Sequence, residues 1–413
     1  MHPSTQFILD DNRGRDPERL NVKLAAIRAN PFAFFRGTAP LFYRTLVLDR
    51  ALLSSPMVLA CGDLHLENFG SYKGDNRLVY FDVNDFDESC VAPVVFDLVR
   101  FLTSILVASK PLKISGTTAS KMVASFIATY AANVISTKPR WIERSIATGP
   151  VKKLLQSLKG RHRCDLIKQR TQRRAGKIRL LIDGEKTLAV TARDRARAES
   201  ILAAFASTQA SPAFFAPIDV ARRIAGNGSL GLERYVALVR GDGNIGGNTD
   251  GQYLIDIKAA SPSALAENIN APQPRWRSEA ERVVCIQRTA QAISPALLGS
   301  IGIGKRSYLI KELQPSADRV NLAALGGKSG ALNEVVRTMA ETTAWAHLRG
   351  CGRYGADSVD ALAGFAGSAE WRSQITECAH AAKALVLQQW QDYSADDDAD
   401  PNLLRSAAGG LTG

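Results

Sequence analysis

Cysteine and histidine are both scarce in this chain. Six cysteines are spread over 413 residues, at positions 61, 90, 164, 285, 351 and 378, without C-x-x-C spacing. That argues against a zinc ribbon or a disulfide framework and fits reduced, buried thiols. The five histidines (2, 65, 162, 347 and 380) stand apart from one another, so a histidine-rich metal centre has too few ligands. His347 follows Trp345 in an apolar helical pattern and reads as a packed core residue. No run of 18 apolar residues occurs, so no transmembrane helix is expected. The start, "MHPSTQFILDDNRGRDPERL", has no apolar stretch behind a basic end. It does not read as a secretory signal, and the expected compartment is the cytoplasm, with no membrane partner. No internal repeat at a solenoid period is found.

What is present is an ordinary globular composition, 46% hydrophobic and 22% charged, long enough for two or three packed units. The net charge of +12 is unevenly placed. Residues 152–179 hold 11 Lys or Arg against one Asp. Such a segment is either a solvated helix face with a basic loop or a patch for a polyanion, nucleic acid or an anionic substrate. No aromatic residue interrupts it, which argues against stacking on single strands.

The pattern along the chain gives an arm over 1–19, then helices over 20–50 around an irregular "NPFAFFRG" turn bounded by Pro31 and Gly37. A short buried strand, "MVLACGD", enters a loop, and a hairpin turns at Gly74-Asp75-Asn76. Helices follow from Asp97 and over 117–136 and 191–206. From about 216 to 316 the texture becomes β-rich, with three strand-like runs, a helix over 278–293 and a strand over 306–313. Helices over 331–350 and 368–393 precede a tail, 395–413, of disordered composition. The fold class is α+β in two lobes: a helical one (20–215 and 317–394) and a β-rich one (216–316).

Against the positive balance of the chain, the segment "CGDLHLENFGSYKGDNRLVYFDVNDFDES" (61–89) gathers seven carboxylates among Leu, Phe, Val and Tyr. A solvated acidic surface would not be threaded with apolar residues; a cation site would. Asp63 and Asn68 lie five apart in a loop leaving a strand, and the hairpin carries the chain back to Asp82. A loop carboxylate can accept a hydroxyl proton, while an Asn amide oxygen and a second carboxylate can hold Mg²⁺, which favours a few carboxylates plus phosphate oxygens and water. Metal and phosphate together are the parts of phosphoryl transfer. Asp85 and Asp87 are further metal ligands or substrate contacts.

The run "IAGNGSLGLERY" contains Gly226-x-Gly228-Ser229-x-Gly231. Alone this spacing is a weak signal, but the flanking residues read as strand, glycine loop, strand rather than a loop opening a helix. A third strand, "QYLIDIKAA", ends at Lys258, placed to neutralise phosphates. The order of strand, glycine loop, strand and lysine resembles the protein-kinase form, and that resemblance implies that helix 278–293 supplies a carboxylate to the lysine: Glu281, with Glu279 as the rival.

These spacings resemble the protein-kinase catalytic loop and metal Asp, and "GDLHLEN" is closer still to the loop of aminoglycoside phosphotransferases and choline kinases. The resemblance implies Asp63 as base, Asn68 and Asp82 on metal, His65 as a loop-shaping residue, and Asp97 as the carboxylate that buttresses the loop. It implies ATP and Mg²⁺ as cofactors, adenine held at a hinge near "YLIKELQPS", and an unidentified hydroxyl acceptor. The kinase order is reversed here, the catalytic loop coming before the glycine loop; a circular permutation of a kinase-like fold reconciles them. The linear signature as a whole is similar to the bacterial family called domain of unknown function 2252. Its segments "SPFAFLRG", "CGDAHLxNFG", "FDxNDFDE", "DLxRL" and "GVGSVGT" have counterparts at 30–37, 61–70, 81–89, 97–101 and 226–232. Arg36 belongs to the first of these, facing either the acidic cluster or phosphate.

Two other readings stay open at this level. One is a nucleotide-sensing or nucleic-acid-binding protein on a kinase-like fold without catalysis, suggested by residues 152–179. The other is a metal-dependent phosphoesterase, suggested by Asp63-x-His65, although the further histidines such a centre needs are missing. Transfer of AMP instead of a phosphoryl group is also compatible with the residues.

Overall fold

A computed structural model describes residues 1–225, 230–242, 251–315 and 317–396. It is an α+β structure, with fifteen α-helices and thirteen strands among the described residues. No helix among them is long and apolar enough to cross a membrane.

The helical part is built around Val95–Val107, all thirteen of whose residues are buried. A helix apolar on every side needs neighbours on every side. It has them in Gly116–Ile135 and Glu370–Ala395, and Ser329–Gly350 packs in turn on Gly116–Ile135. At one end of this bundle Met57–Ala60 pairs antiparallel with Cys90–Pro93. Phe69–Lys73 pairs with Val79–Val83 as the expected hairpin.

The β-rich part is a six-stranded antiparallel sheet. Its order is Gly299–Ile303, Arg306–Glu312, Tyr253–Ala259, Arg234–Val239, Pro217–Arg223 and Thr187–Leu188. Side chains alternate across a strand, so Tyr253, Ile255 and Ile257 face one way, packing with Ile201, Leu202 and Phe205 of helix Ala192–Ala206. Leu254 faces the other way, with Val236 and Leu238, under Ile167 and Leu180. Asp256 and Lys258 share that second face by the same alternation. Helix Ala192–Ala206 is thus part of the sheet's own core, and the unit around the sheet begins before residue 216.

Several local readings are corrected. "NPFAFFRG" is not an irregular turn but a helix, Pro31–Gly37: the Asn30 side chain accepts from the Ala33 N–H at 2.9 Å, and Pro31 takes the first helical position, where a missing N–H costs nothing. The expected arm at 1–19 holds helix Pro3–Asp11, with Ile8 buried, and the Asp16 cap of helix Pro17–Arg28. Within the basic segment, Thr171–Arg174 and Lys177–Leu180 form a hairpin whose two turn residues, Ala175 and Gly176, have φ of 50° and 72°, the turn that matches strand twist. The segment is amphipathic in three dimensions, its apolar residues Leu155, Ile167 and Leu180 being buried. The last helix ends at Ala395, and the tail from 397 lies outside the described residues.

Candidate active site

The loop after Met57–Ala60 is held by a carboxylate below it. Asp97, fully buried in the first turn of Val95–Val107, accepts the Cys61 N–H at 2.7 Å and the Gly62 N–H at 2.9 Å. The helix N-terminus favours that charge. His347 Nε2 lies 3.1 Å from Asp97, and His347 Nδ1 lies 2.9 Å from the Tyr130 hydroxyl. This chain of buried polar groups fixes the loop from the core outward. Gly62 has φ +79°, and an added Cβ there would overlap the Glu88 carbonyl oxygen. The loop therefore crosses the 85–89 segment backbone to backbone, which only glycine permits.

One residue further on, Asp63 meets Arg100, one turn along the same helix as Asp97. Arg100 Nη2 and Nε lie 2.6 and 2.8 Å from the same oxygen, Asp63 Oδ1. The other oxygen makes no bond that short among the described residues; His65 Nε2 lies 3.9 Å from it. Arg100 has no exposed surface and sits between the rings of Phe35, Phe42 and Tyr43, with its guanidinium carbon 4.3, 4.7 and 5.4 Å from their centres. Burial raises the Asp63 carboxyl above its ordinary pKa, and the Arg100 charge only partly offsets this. His65 is buried, and its Nδ1 accepts the Glu67 N–H at 3.0 Å. Burial, and then the charges of Arg36 and Arg100, push its pKa well down. The ring is therefore neutral and shapes the loop. Arg36 pairs with Glu67 at 2.5 Å.

Asn68 joins two loops. Its amide donates to the Asp63 carbonyl at 2.9 Å and the Asp85 carbonyl at 3.0 Å, and its Oδ1 accepts the Asp85 N–H at 2.8 Å. The side chain expected on metal is thus spent on holding the Asp63 and Asp85 backbones together.

Asp82 also departs from expectation. It is buried in Val79–Val83, and its Oδ1 accepts the adjacent Val83 N–H at 2.8 Å. It is not among the residues lining the cavity that holds Asp63, Asn68, Asp85 and Asp87. The carboxylates that reach the cavity come just after the strand, where the chain turns out of the sheet. There Lys258 arrives from the six-stranded sheet. Its ammonium bonds Asp87 and lies 3.8 Å from Asp85. Desolvation would raise the Asp85 carboxyl, but the charges of Lys258, Lys311 and Arg234 outweigh it and hold the group well below the usual carboxylate range. Asp87 is moved upward by burial and by the charge of Asp85.

The helix expected to give Lys258 a glutamate does not do so. Glu281 pairs with Arg277 at 2.5 Å, and Glu279 with Arg282 at 2.7 Å. The helix instead sends Arg282 to the acidic loop, where it donates to the carbonyls of Ser89, Asp87 (3.0 Å) and Ser261 (2.9 Å). Lys258 takes its counter-charge from the loop itself, and Arg282 fixes that loop to the helix.

Of the glycine loop, Gly226, Gly228 and Ser229 lie outside the described residues. Gly231 has φ +87°, and an added Cβ would crowd Arg15. The Arg15 guanidinium donates to Leu230 O at 2.9 Å, and the Asp16 N–H donates to Gly231 O at 3.2 Å. The start of the chain therefore braces the loop between the two strands.

Arg100, Lys23, Glu88 and Arg282 were not singled out from the sequence. Arg100 had a signal in "DLVRF": a lone cation one turn after an Asp in an apolar helix. Lys23 had none, since its approach to the cavity depends on how Pro17–Arg28 packs. It lines the same cavity as Asp63, and burial brings its ammonium down to about 7.

Three recesses surround these groups. The acidic one, about 120 Å³, holds Asp63, Asn68, Asp85 and Asp87. A second, about 240 Å³, lies on the Lys258 face of the sheet, between Ile224, Val236, Leu254 and Leu313. A third, about 1000 Å³, shares Arg15, Glu88 and Leu232 with the first. Among the described residues no three His, Cys, Asp or Glu side chains form a metal cage. Mg²⁺ needs none when phosphates accompany it, since one or two carboxylates suffice. Asp85, strongly acidic and half exposed at the cavity, fits that part.

No curated protein and no solved structure matches the chain. Residues 15–396 match the family described as an uncharacterized protein conserved in bacteria, DUF2252, and the chain belongs to that family.

Proposed function

We propose that the protein is a nucleotide- and Mg²⁺-dependent phosphotransferase acting on a small hydroxyl compound, on a kinase-like two-lobed scaffold with permuted chain order. The observation that carries this reading is the meeting of Lys258, at the end of a sheet strand, with Asp85 and Asp87, beside a cavity that also holds Asp63 and Asn68.

The parts divide as follows. The recess between Ile224, Val236, Leu254 and Leu313, which Arg170, Lys186 and Arg223 also line, lies next to the strand that continues toward "LQPS"; its apolar side chains suit a purine base. Lys258, Lys311 and Arg234, which converge on Asp85, suit the phosphates. Asp85 would hold Mg²⁺, which would neutralise charge on the transferred group. Asp63 has one oxygen fixed by Arg100 and the other without a hydrogen-bond partner among the described residues. That second oxygen accepts the proton of the acceptor hydroxyl as the hydroxyl oxygen bonds the terminal phosphorus and the bridging P–O bond breaks, releasing the nucleoside diphosphate.

The test is nucleotide turnover against a pool of small metabolites, with Asp63→Asn and Asp85→Asn as controls. The reading expects Mg²⁺-dependent ADP formation that needs an acceptor and is lost in both variants. AMP release would redirect it to nucleotidyl transfer. Turnover indifferent to Asp63→Asn would end the assignment of the base.

A further inference from the structure

The third recess is the largest of the three and is lined by more Arg and Lys residues than either of the others. Eight Arg or Lys residues line it against six carboxylates, and the pairing inside it is lopsided. Arg197 and Arg306 share the single carboxylate of Glu233, at 2.5 and 2.7 Å. Arg193 and Lys305 are exposed and make no ion pair or side-chain hydrogen bond among the described residues. Arg193 also stands in the first turn of helix Ala192–Ala206, where a cation opposes the helix dipole. Its charge is not there to stabilise the helix.

Behind this lining lies a second observation. Arg19, in Pro17–Arg28, is 5% exposed, and its Nε and Nη2 have no hydrogen-bond partner. Its charge is felt by Arg222, Asp16 and Asp194, all three of which line the recess. Buried guanidinium N–H groups without acceptors are costly, and the nearby Asp16 carboxylate is taken by Arg222 at 3.1 Å without bonding Arg19 Nε or Nη2. At about 1000 Å³ the recess is large enough for a small molecule.

We propose that this chamber binds a small polyanionic molecule, a hydroxyl compound already carrying phosphate or carboxylate groups. Its wall is continuous with that of the acidic cavity through Asp11, Arg15, Glu88, Leu232, Ser261 and Pro262. An anionic group held by Arg193 and Lys305 leaves the rest of the molecule free to extend along that shared wall toward the acidic cavity. The binding of the anion follows from the chamber alone; its role as the acceptor of phosphoryl transfer rests on the function proposed above.

Calorimetric titration of the full chain at low salt tests it, with fructose 1,6-bisphosphate and inositol hexakisphosphate as probes. The variants are Arg193→Glu/Lys305→Glu in the chamber and Lys152→Glu/Lys153→Glu, an equal charge change on the exposed face of another helix. At least one probe is expected to bind the native chain, to lose tenfold or more in affinity in the chamber variant, and to stay within twofold in the other. Absence of binding by both probes overturns the proposal. So does equal weakening in the two variants, which would reduce it to general charge. If the chamber binds as expected but no nucleotide turnover is found with any acceptor, the anion site stands and the phosphotransfer reading alone falls.

Discussion

Lys258 and Asp87 bond across 171 residues of chain, joining the face of the six-stranded sheet to the loop that leaves the hairpin. The contact is what unites the two halves of the candidate site. Desolvation would lower the Lys258 pKa, but Asp85 and Asp87 more than offset it and raise the group. The ammonium therefore stays charged and acts as the standing counter-ion of the acidic loop.

Removing that counter-ion should cost more than the pair itself contributes. Lys258→Met leaves Asp85 and Asp87 facing each other. Because Asp87 is about one-third exposed, solvent screening reduces the penalty to about 1–3 kcal/mol. Lys258→Met/Asp87→Asn should recover part of the loss. Urea unfolding of the two single variants and the double variant checks this, and additive losses would show that the contact is not an energetic pair.

Gly62→Ala should be among the most damaging small substitutions in the chain. It adds one methyl at φ +79° and against the Glu88 carbonyl oxygen, so either the Asp97-held loop or the 85–89 segment must shift. The expected loss is about 2–4 kcal/mol, combining left-handed strain and backbone overlap. A thermal melt within 1 °C of the native one would refute the crossing of the two segments. Gly116→Ala, where an added Cβ meets nothing, is the matched control.

The sequence reveals a site best where chemistry and local pattern coincide. The Asp63–Asn68 loop, the hairpin and the sheet strand ending in Lys258 all have short-range signals, namely turn residues, alternation and five-residue spacing. Which carboxylate reaches the cavity is a different kind of fact. Asp82 and Asp85 differ by three residues, and only the point where the strand leaves the sheet decides that Asp82 turns inward and Asp85 outward. The kinase analogy points to a helix for the partner of Lys258, but that helix sends Arg282 to the loop carbonyls and the loop itself supplies the carboxylates. In "NPFAFFRG" the sequence is ambiguous because proline punctuates a turn and begins a helix equally well, and only the Asn30 cap separates the two.

Asp82 gives a pH prediction. Burial raises its carboxyl to about 6 from 3.8, against the charge of Arg349 and the Val83 N–H. A folded-state pKa above the unfolded value means that the folded chain holds this proton more tightly. The group therefore contributes stability below about pH 4 that is lost as pH rises through about 6. Asp82→Asn, which cannot ionise, should be neutral at pH 4 and stabilising by at most about 3 kcal/mol at pH 8. Urea melts at the two values test this. Were Asp82 a Mg²⁺ ligand, added Mg²⁺ would stabilise the native chain at pH 8 and erase the advantage of the variant; no such effect is expected, whereas the nucleotide-dependent Mg²⁺ effect should vanish in Asp85→Asn.

In the proposed reaction Asp63 is the base, and its geometry is set by Arg100. Two N–H groups grip one carboxylate oxygen, which orients the other and holds the carboxyl pKa down against the effect of burial. Arg100→Lys keeps a positive charge but replaces a two-pronged grip with a single mobile one. Nucleotide binding should be unchanged, kcat should fall about ten- to a hundredfold through lost orientation, and KM should move little. The pH–rate profile separates this from general damage. A base must be deprotonated, so its activity declines as pH drops through its pKa. A weaker hold on the carboxylate raises that pKa, so the acidic limb in Arg100→Lys should shift to higher pH, while Asp63→Asn should lose about 10²–10⁴ in rate and retain no acidic limb. An unshifted limb in Arg100→Lys would make the arginine a packing residue and leave Asp63 without the control assigned to it.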